Sequence, residues 1–185
     1  MRLFVAIPIP EELKKNIQKI TEPGLPVRWN KPEAYHLTLV FIGEVDQIMA
    51  DTIKQALQQV QLPEVFDANL SQIGCFPNHR KPKVIWAGVE PQEPFIEMHR
   101  DICKVLDEVE SPKDDKKLHP HVTIGRVKKP HSGVGDFIQQ NREAFFGSFT
   151  VSGFNLYSSM LQPGGAKHSV LASYQNDSVQ NDRPL

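Results

Sequence analysis

Two cysteines, Cys75 and Cys103, are all that the 185 residues contain. That is too few for a disulfide framework, and no Cys-x-x-Cys spacing is present that would hold structural zinc, so both are read as reduced thiols, Cys103 within a core. The sequence also lacks any run of about 18 consecutive apolar residues and any long apolar segment ahead of its first strand. A membrane-spanning helix and a secretory leader are thereby excluded from the reading, and a soluble, cytoplasmic, monomeric protein is expected. Charge of one sign is missing too: 21 Lys and Arg face 22 Asp and Glu, a net charge of −1. This excludes the broad electrostatic attraction with which basic proteins bind long nucleic acids, so a nucleic-acid partner would be read at an end. Threonine is scarce, with five in the whole chain.

Against that scarcity, two stretches stand out. His36-Leu37-Thr38-Leu39 and His121-Val122-Thr123-Ile124 lie 85 positions apart (121 − 36). Each sets a histidine and a threonine two residues apart with aliphatic residues between. In an extended strand that spacing sends both polar side chains to one face and the aliphatic pair to the other. A single copy reads as an ordinary edge strand with its polar face in water. The matched repetition carries the signal.

Two imidazoles converging on one point can cleave a phosphodiester without a metal. An unperturbed imidazole pKa of about 6.5 lets one ring take a proton from water while the other gives one to the departing alkoxide. The threonine hydroxyls, Thr38 and Thr123, then serve as donors to non-bridging phosphate oxygens, where charge accumulates during in-line attack. A metal reading uses His119 as well, since His36, His119 and His121 are three imidazoles. No His-Glu-x-x-His helix or nearby carboxylate cluster accompanies them, so no metal and no cofactor is assigned and His119 is read as structural.

Elsewhere the chain reads as follows. Residues 2–8 form a buried strand, and Leu13, Ile17 and Ile20 mark a helix over 10–21 with Glu11 and Glu12 at its positive end. Val27 to Pro32 is a short extended piece in which Arg28 and Trp29 could border a nucleotide or cap a lobe edge. Met49, Ile53, Leu57 and Val60 mark a second helix stopped by Leu62-Pro63, and Phe95, Met98, Ile102, Leu106 and Val109 a third. Strands over about 65–75 and 83–89 flank the basic loop His79-Arg80-Lys81-Pro82-Lys83, read either as a solvated turn or as a grip on a phosphate backbone. Val134, Phe137 and Ile138 start a short helix ending near Phe145-Phe146-Gly147. Two last strands, about 148–160 and 168–174, enclose the turn 162–166, and the polar residues after Tyr174 are expected to be a disordered tail.

The paired motifs, embedded in Leu37-Thr38-Leu39-Val40-Phe41-Ile42-Gly43-Glu44 and in His119-Pro120-His121-Val122-Thr123-Ile124-Gly125-Arg126, resemble the two-histidine phosphoesterase superfamily. Within it the chain is similar to the bacterial RNA 2′,3′-cyclic phosphodiesterases, also called 2′-5′ RNA ligases, from its opening strand to about Tyr174. The resemblance implies that His121 activates water as general base and His36 protonates the departing 3′ oxygen as general acid; sequence symmetry alone leaves the order of the two open. It implies that Arg126 joins the threonines on the phosphate and that Phe41 packs against the base. Both residues lie five positions past their histidines, and odd offsets in a regular strand point to opposite faces. Phe41 therefore requires a bend or end near Gly43, and Arg126 a bulge that Gly125 could permit.

The expected architecture is α+β: two pseudo-symmetric lobes in a single domain over 1–174, each an antiparallel sheet with outer helices, around a cleft that carries both motifs. The expected reaction is hydrolysis of RNA ends bearing a 2′,3′-cyclic phosphate to 2′-phosphomonoesters, reversible in principle to a 2′-5′ joining of ends. Two alternatives stay open: hydrolysis of another small cyclic or 2′-5′ phosphodiester, and a nucleotide-binding module without catalysis.

Overall fold

Among the described residues nine strands alternate with four helices, and the alternation of apolar with polar residues along the strands decides which side of each faces the helices. The computed structural model describes residues 1–162 and 165–176; the expected tail beyond residue 176 and the centre of the 162–166 turn lie outside them. In chain order these are β1 (Arg2–Pro8), α1 (Glu11–Ile20), β2 (Val27–Trp29), β3 (His36–Glu44), α2 (Gln47–Ala56), β4 (Phe66–Phe76), β5 (Val84–Glu90), α3 (Glu93–Glu108), β6 (His121–Val127), α4 (Ser132–Gln140), β7 (Phe145–Val151), β8 (Gly153–Gln162) and β9 (Gly165–Gln175).

All strand pairs are antiparallel, in the order β7-β4-β5-β6-β3-β1-β8-β9, with β2 paired to β6 beside β3. The two expected lobes are present as the two halves of this sheet, joined where β3 meets β6 through the single pair Leu37 and Val122. Two helices that leave one half pack against the other. The α1 helix follows β1 but lies on β7, where Asn16 Nδ2 donates to the Phe146 carbonyl at 2.8 Å. The α3 helix follows β5 but lies on β3, beside α2. This exchange interlocks the halves, and the apolar faces of all four helices close over one continuous core in which Ile17, Leu37, Ile53, Phe95, Val122 and Phe137 are buried.

Three boundaries differ from the sequence reading. The helix carrying Met49 ends at Ala56 and tightens into a 3₁₀ turn over Leu57–Gln59, which still buries Leu57 and Val60. The helix begun at Ser132 stops at Gln140, where the Asn141 side chain donates back to the Phe137 carbonyl at 2.9 Å, so Phe145 to Gly147 belong to a strand. The strand expected over 148–160 is two strands divided at Ser152. There the chain passes from pairing with β4 to pairing with β1, from one half of the sheet to the other. Among the described residues no helix is long and apolar enough to cross a membrane.

Candidate active site

The antiparallel pair Leu37 and Val122 fixes the centre of the site. Continuing that register sets His36 across from Thr123 and Thr38 across from His121, and a local two-fold axis between the strands exchanges the motifs. Leu37 and Val122 are fully buried while the four polar residues are half-buried on the opposite face. The two histidines are thus diagonal neighbours, about 7–8 Å apart at Cα, a span that a phosphate group fills.

The parity problem of Phe41 and Arg126 is solved twice in the same way. On β3, Thr38 pairs with Ala6 and Val40 with Val5, which leaves Leu39 without a partner; on β6, Thr123 pairs with Trp86 and Gly125 with Ile85, which leaves Ile124 without one. These are β-bulges, 85 positions apart like the motifs themselves. Each bulge buries two successive residues, Leu39-Val40 and Ile124-Gly125, and so returns the next side chain to the histidine face. Phe41 and Arg126 are therefore exposed on that face. Beside Gly43, whose φ is +99°, the ladder does shift once more, for Ile42 has no partner on β1; but the parity that decides Phe41 changes earlier, at Leu39, and the strand runs on to Glu44. The carbonyls that the bulges free from the ladder are taken up from outside. His99 Nδ1 donates to the Leu39 carbonyl at 2.8 Å, while Asn30 donates its backbone N–H to Ile124 at 2.9 Å and its Nδ2 to Thr123 at 3.0 Å. Neither His99 nor Asn30 was singled out from sequence, because nothing local marks them.

Gly125 is part of the same device. A Cβ there would stand 2.8 Å from both Trp29 Cε3 and Val27 Cγ1, so β2 lies on β6 only because the side chain is absent. Gly125→Ala is expected to cost about 1–3 kcal/mol and to lower the melting temperature by several degrees. An unchanged melting curve would show that this contact does not hold β2 in place.

His36, Thr38, Phe41, His121, Thr123 and Arg126 all line one cleft of about 1200 Å³. The ring of His36 stacks on Phe4 at 4.9 Å, Phe4 stacks on Tyr157 at 5.1 Å, and His168 stands edge-on to His36 at 5.2 Å. Burial, then the neighbouring His168 and Lys14, hold the His36 pKa down at about 4. His121 Nδ1 donates to the carbonyl of His119 at 2.6 Å, since a carbonyl only accepts, and this leaves Nε2 free to exchange a proton. Burial lowers the His121 pKa as well, opposed by that carbonyl. Both rings are neutral at pH 7. The His119 ring packs on Trp86 and Phe76 at 5.1 and 5.3 Å, while its main chain orients His121. His168, which sequence reading passed over, lies in the cleft with a buried Nδ1 that has no protein partner.

Charge is distributed unevenly around the cleft. Arg2, Arg28, Lys31, Lys116, Lys117 and Arg126 line it against one acidic residue, Asp114, which is paired to Lys116 at 2.9 Å. A chain of net charge −1 thus carries a locally cationic site. His79, Arg80, Lys81 and Lys83 of the basic loop are not among the residues that line it, although Phe76 and Val84 on either side of that loop are. Among the described residues no group of three or more His, Cys, Asp or Glu side chains is placed to hold a metal ion.

Comparison with known proteins agrees with this geometry. Curated proteins named RNA 2′,3′-cyclic phosphodiesterase are similar along nearly the whole length. The one from Methanocaldococcus jannaschii is 32% identical over 178 residues, covering 94% of this chain and 100% of the relative, and the one from Archaeoglobus fulgidus is 29% identical, covering 95% and 100%. The fold matches a crystal structure of a Thermus thermophilus protein with a TM-score of 0.76 at 29% identity, over 95% of this chain and 97% of the other. It also matches Escherichia coli LigT complexed with 3′-AMP, with a TM-score of 0.74 at 24% identity, over 94% and 97%. The family model described as the 2′-5′ RNA ligase superfamily matches residues 9–161, a span that includes both motifs, both bulges and every cleft residue from Arg28 to Leu161, and the chain belongs to that superfamily.

Proposed function

We propose that the chain hydrolyses 2′,3′-cyclic phosphates at RNA ends, leaving 2′-phosphomonoesters, by an acid-base mechanism in which His36 and His121 act on one phosphate. The observation that carries this reading is the Leu37 and Val122 pair, which sets both His-x-Thr motifs on one face of the sheet at the floor of one cationic cleft. The name shared by the relatives supports it. His121 Nε2 takes a proton from a water, the water oxygen attacks phosphorus, the bond from phosphorus to the 3′ oxygen breaks, and His36 delivers its proton to that oxygen. Thr38, Thr123 and Arg126 hold the non-bridging oxygens, and Phe41 offers a ring face to the base. With a 5′-hydroxyl in place of the water, the same steps make a 2′-5′ linkage: the hydroxyl gives its proton to His121, its oxygen bonds to phosphorus, and the 3′ oxygen departs with the proton of His36. We place the protein, as a monomer, in the cytoplasm.

His36 must be charged to act as acid, yet it is neutral in the free protein. The substrate supplies the difference: an anion about 4 Å away at an effective dielectric of about 20 is worth about 4 kcal/mol, enough to raise a pKa by about 3. The phosphodiester thus brings its own proton donor into the charged state. A pH profile follows. For the free enzyme, protonation of both imidazoles at low pH removes the base, and loss of both protons at higher pH removes the acid. Since the His36 pKa lies at about 4 and that of His121 below its ordinary 6.5, kcat/KM is expected to be bell-shaped with its optimum on the acid side of neutrality. The kcat profile, which reports the complex, is expected to lie at higher pH. A kcat/KM that rises to pH 8 contradicts this.

The direct test is an oligoribonucleotide ending in a 2′,3′-cyclic phosphate, incubated with chelator-treated protein and analysed for the position of the product phosphate. A 2′-phosphate is expected. Exclusive turnover of cyclic mononucleotides or of 2′-5′ linkages reassigns the substrate, and binding without turnover of any of them leaves only a nucleotide-binding module.

A further inference from the structure

We infer that the cleft contains a second phosphate position, built by Arg28 beside Arg126, that takes the phosphate on the 5′ side of the terminal ribose. The inference rests on the reading of the cleft as a cyclic-phosphate site, and it narrows the substrate class to RNA ends of two or more nucleotides.

Arg28 on β2 and Arg126 on β6 are direct antiparallel partners, so their side chains leave the sheet on the same face. The neighbours of Arg28 establish which face that is. Val27 and Trp29 both pack over Gly125, on the side away from the exposed Arg28, and both arginines line the cleft. Two guanidinium groups placed directly opposite on adjacent strands repel each other, an arrangement that costs stability unless an anion lies between them. The described residues supply none. Among the described residues neither arginine makes a side-chain hydrogen bond or ion pair, and the cleft's one carboxylate, Asp114, is held by Lys116. Lys31, two residues after Trp29, lines the same wall and is likewise unpaired among the described residues.

The spacing fits two phosphates better than one. Along the edge of β6, His36 lies across from Thr123 and Arg28 across from Arg126, with one bulged residue between. That leaves about two ladder steps, or roughly 7 Å, between the His36 end of the reacting site and Arg28. Neighbouring phosphates of one strand span such a gap. Arg126 stands level with Arg28 on the neighbouring strand, and its long side chain can reach toward either position.

The test compares three substrates: adenosine 2′,3′-cyclic phosphate, the dinucleotide ApA ending in a 2′,3′-cyclic phosphate, and the same dinucleotide with an uncharged methylphosphonate linkage. The wild type is expected to favour the charged dinucleotide by about tenfold or more in kcat/KM over the other two. Arg28→Gln is expected to abolish most of that preference and, with the like charge opposite Arg126 removed, to melt no lower than the wild type; Arg28→Lys is expected to retain part of the preference and to melt with the wild type. Equal kcat/KM for the wild type on all three substrates overturns the inference. So does an Arg28→Gln variant that lowers all three by one factor. No turnover of any of the three overturns the parent reading, and this one with it.

Discussion

Alanine at either His36 or His121 is expected to lower kcat about 10³-fold, and alanine at both to lower it little further. On the proposed mechanism, removal of His121 takes away the nitrogen that receives the water proton, and removal of His36 takes away the donor to the 3′ oxygen. Because attack and departure occur at one phosphorus in line, losing either partner disables the step that the other serves. The two losses therefore do not multiply. The fold should tolerate both changes, since the rings lie on the half-buried face while the contact between the halves is made by Leu37 and Val122 behind them. Measured kcat values on a cyclic-phosphate oligonucleotide, with melting curves to verify folding, check this. Full turnover by either single variant removes the acid-base pair, and strictly multiplicative losses make the two residues independent.

The second large effect is expected at Arg126. Its guanidinium, set on the histidine face by the Ile124 bulge, is the fixed positive charge next in line after Thr123. Charge moves onto the non-bridging oxygens as water attacks, and removal of one preorganised donor from such a site costs about 10²–10³ in rate. Arg126→Ala should lose that much in kcat. Arg126→Lys should recover only part, because an ammonium is a point charge and lacks the planar pair of donors. Stability should not fall, and a small rise is expected, since Arg28 would lose the like charge opposite it. A variant with wild-type kcat and a raised KM would instead assign Arg126 to uniform binding of substrate.

The sequence made the motif pair legible because its information is local: a period-2 pattern appears twice on a background poor in threonine. The helix faces were legible for the same reason, and most of the apolar residues that mark them are buried, with Ile20, Met49 and Val109 only partly so. What escaped was set by contacts distant in sequence. A bulge is the loss of one partner in a ladder, so no reading of β3 alone could locate it at Leu39; the register of β1 across from it decides. His99 and Asn30 look like ordinary polar residues until they are seen to satisfy the bulge carbonyls. His168 enters because β9 pairs with β8 and β8 with β1, which bring its ring against His36 and Phe4. Arg28 could be noted as a bordering residue but not as the partner of Arg126, which only the β2 to β6 pairing defines. The break at Ser152 was hidden too, because apolar and polar residues alternate on both sides of it while the strands change neighbours.

The two imidazoles can be observed on a single anion without any turnover. Nitrogen-15 NMR of the histidine side chains, recorded across pH with and without one equivalent of adenosine 2′-monophosphate, follows both rings at once. In the free protein both are expected to titrate below the ordinary imidazole value, His36 at about 4. On binding, both pKa values should rise together. A nucleotide that shifts only one of the pair, or neither, would contradict convergence of the two rings on one phosphate.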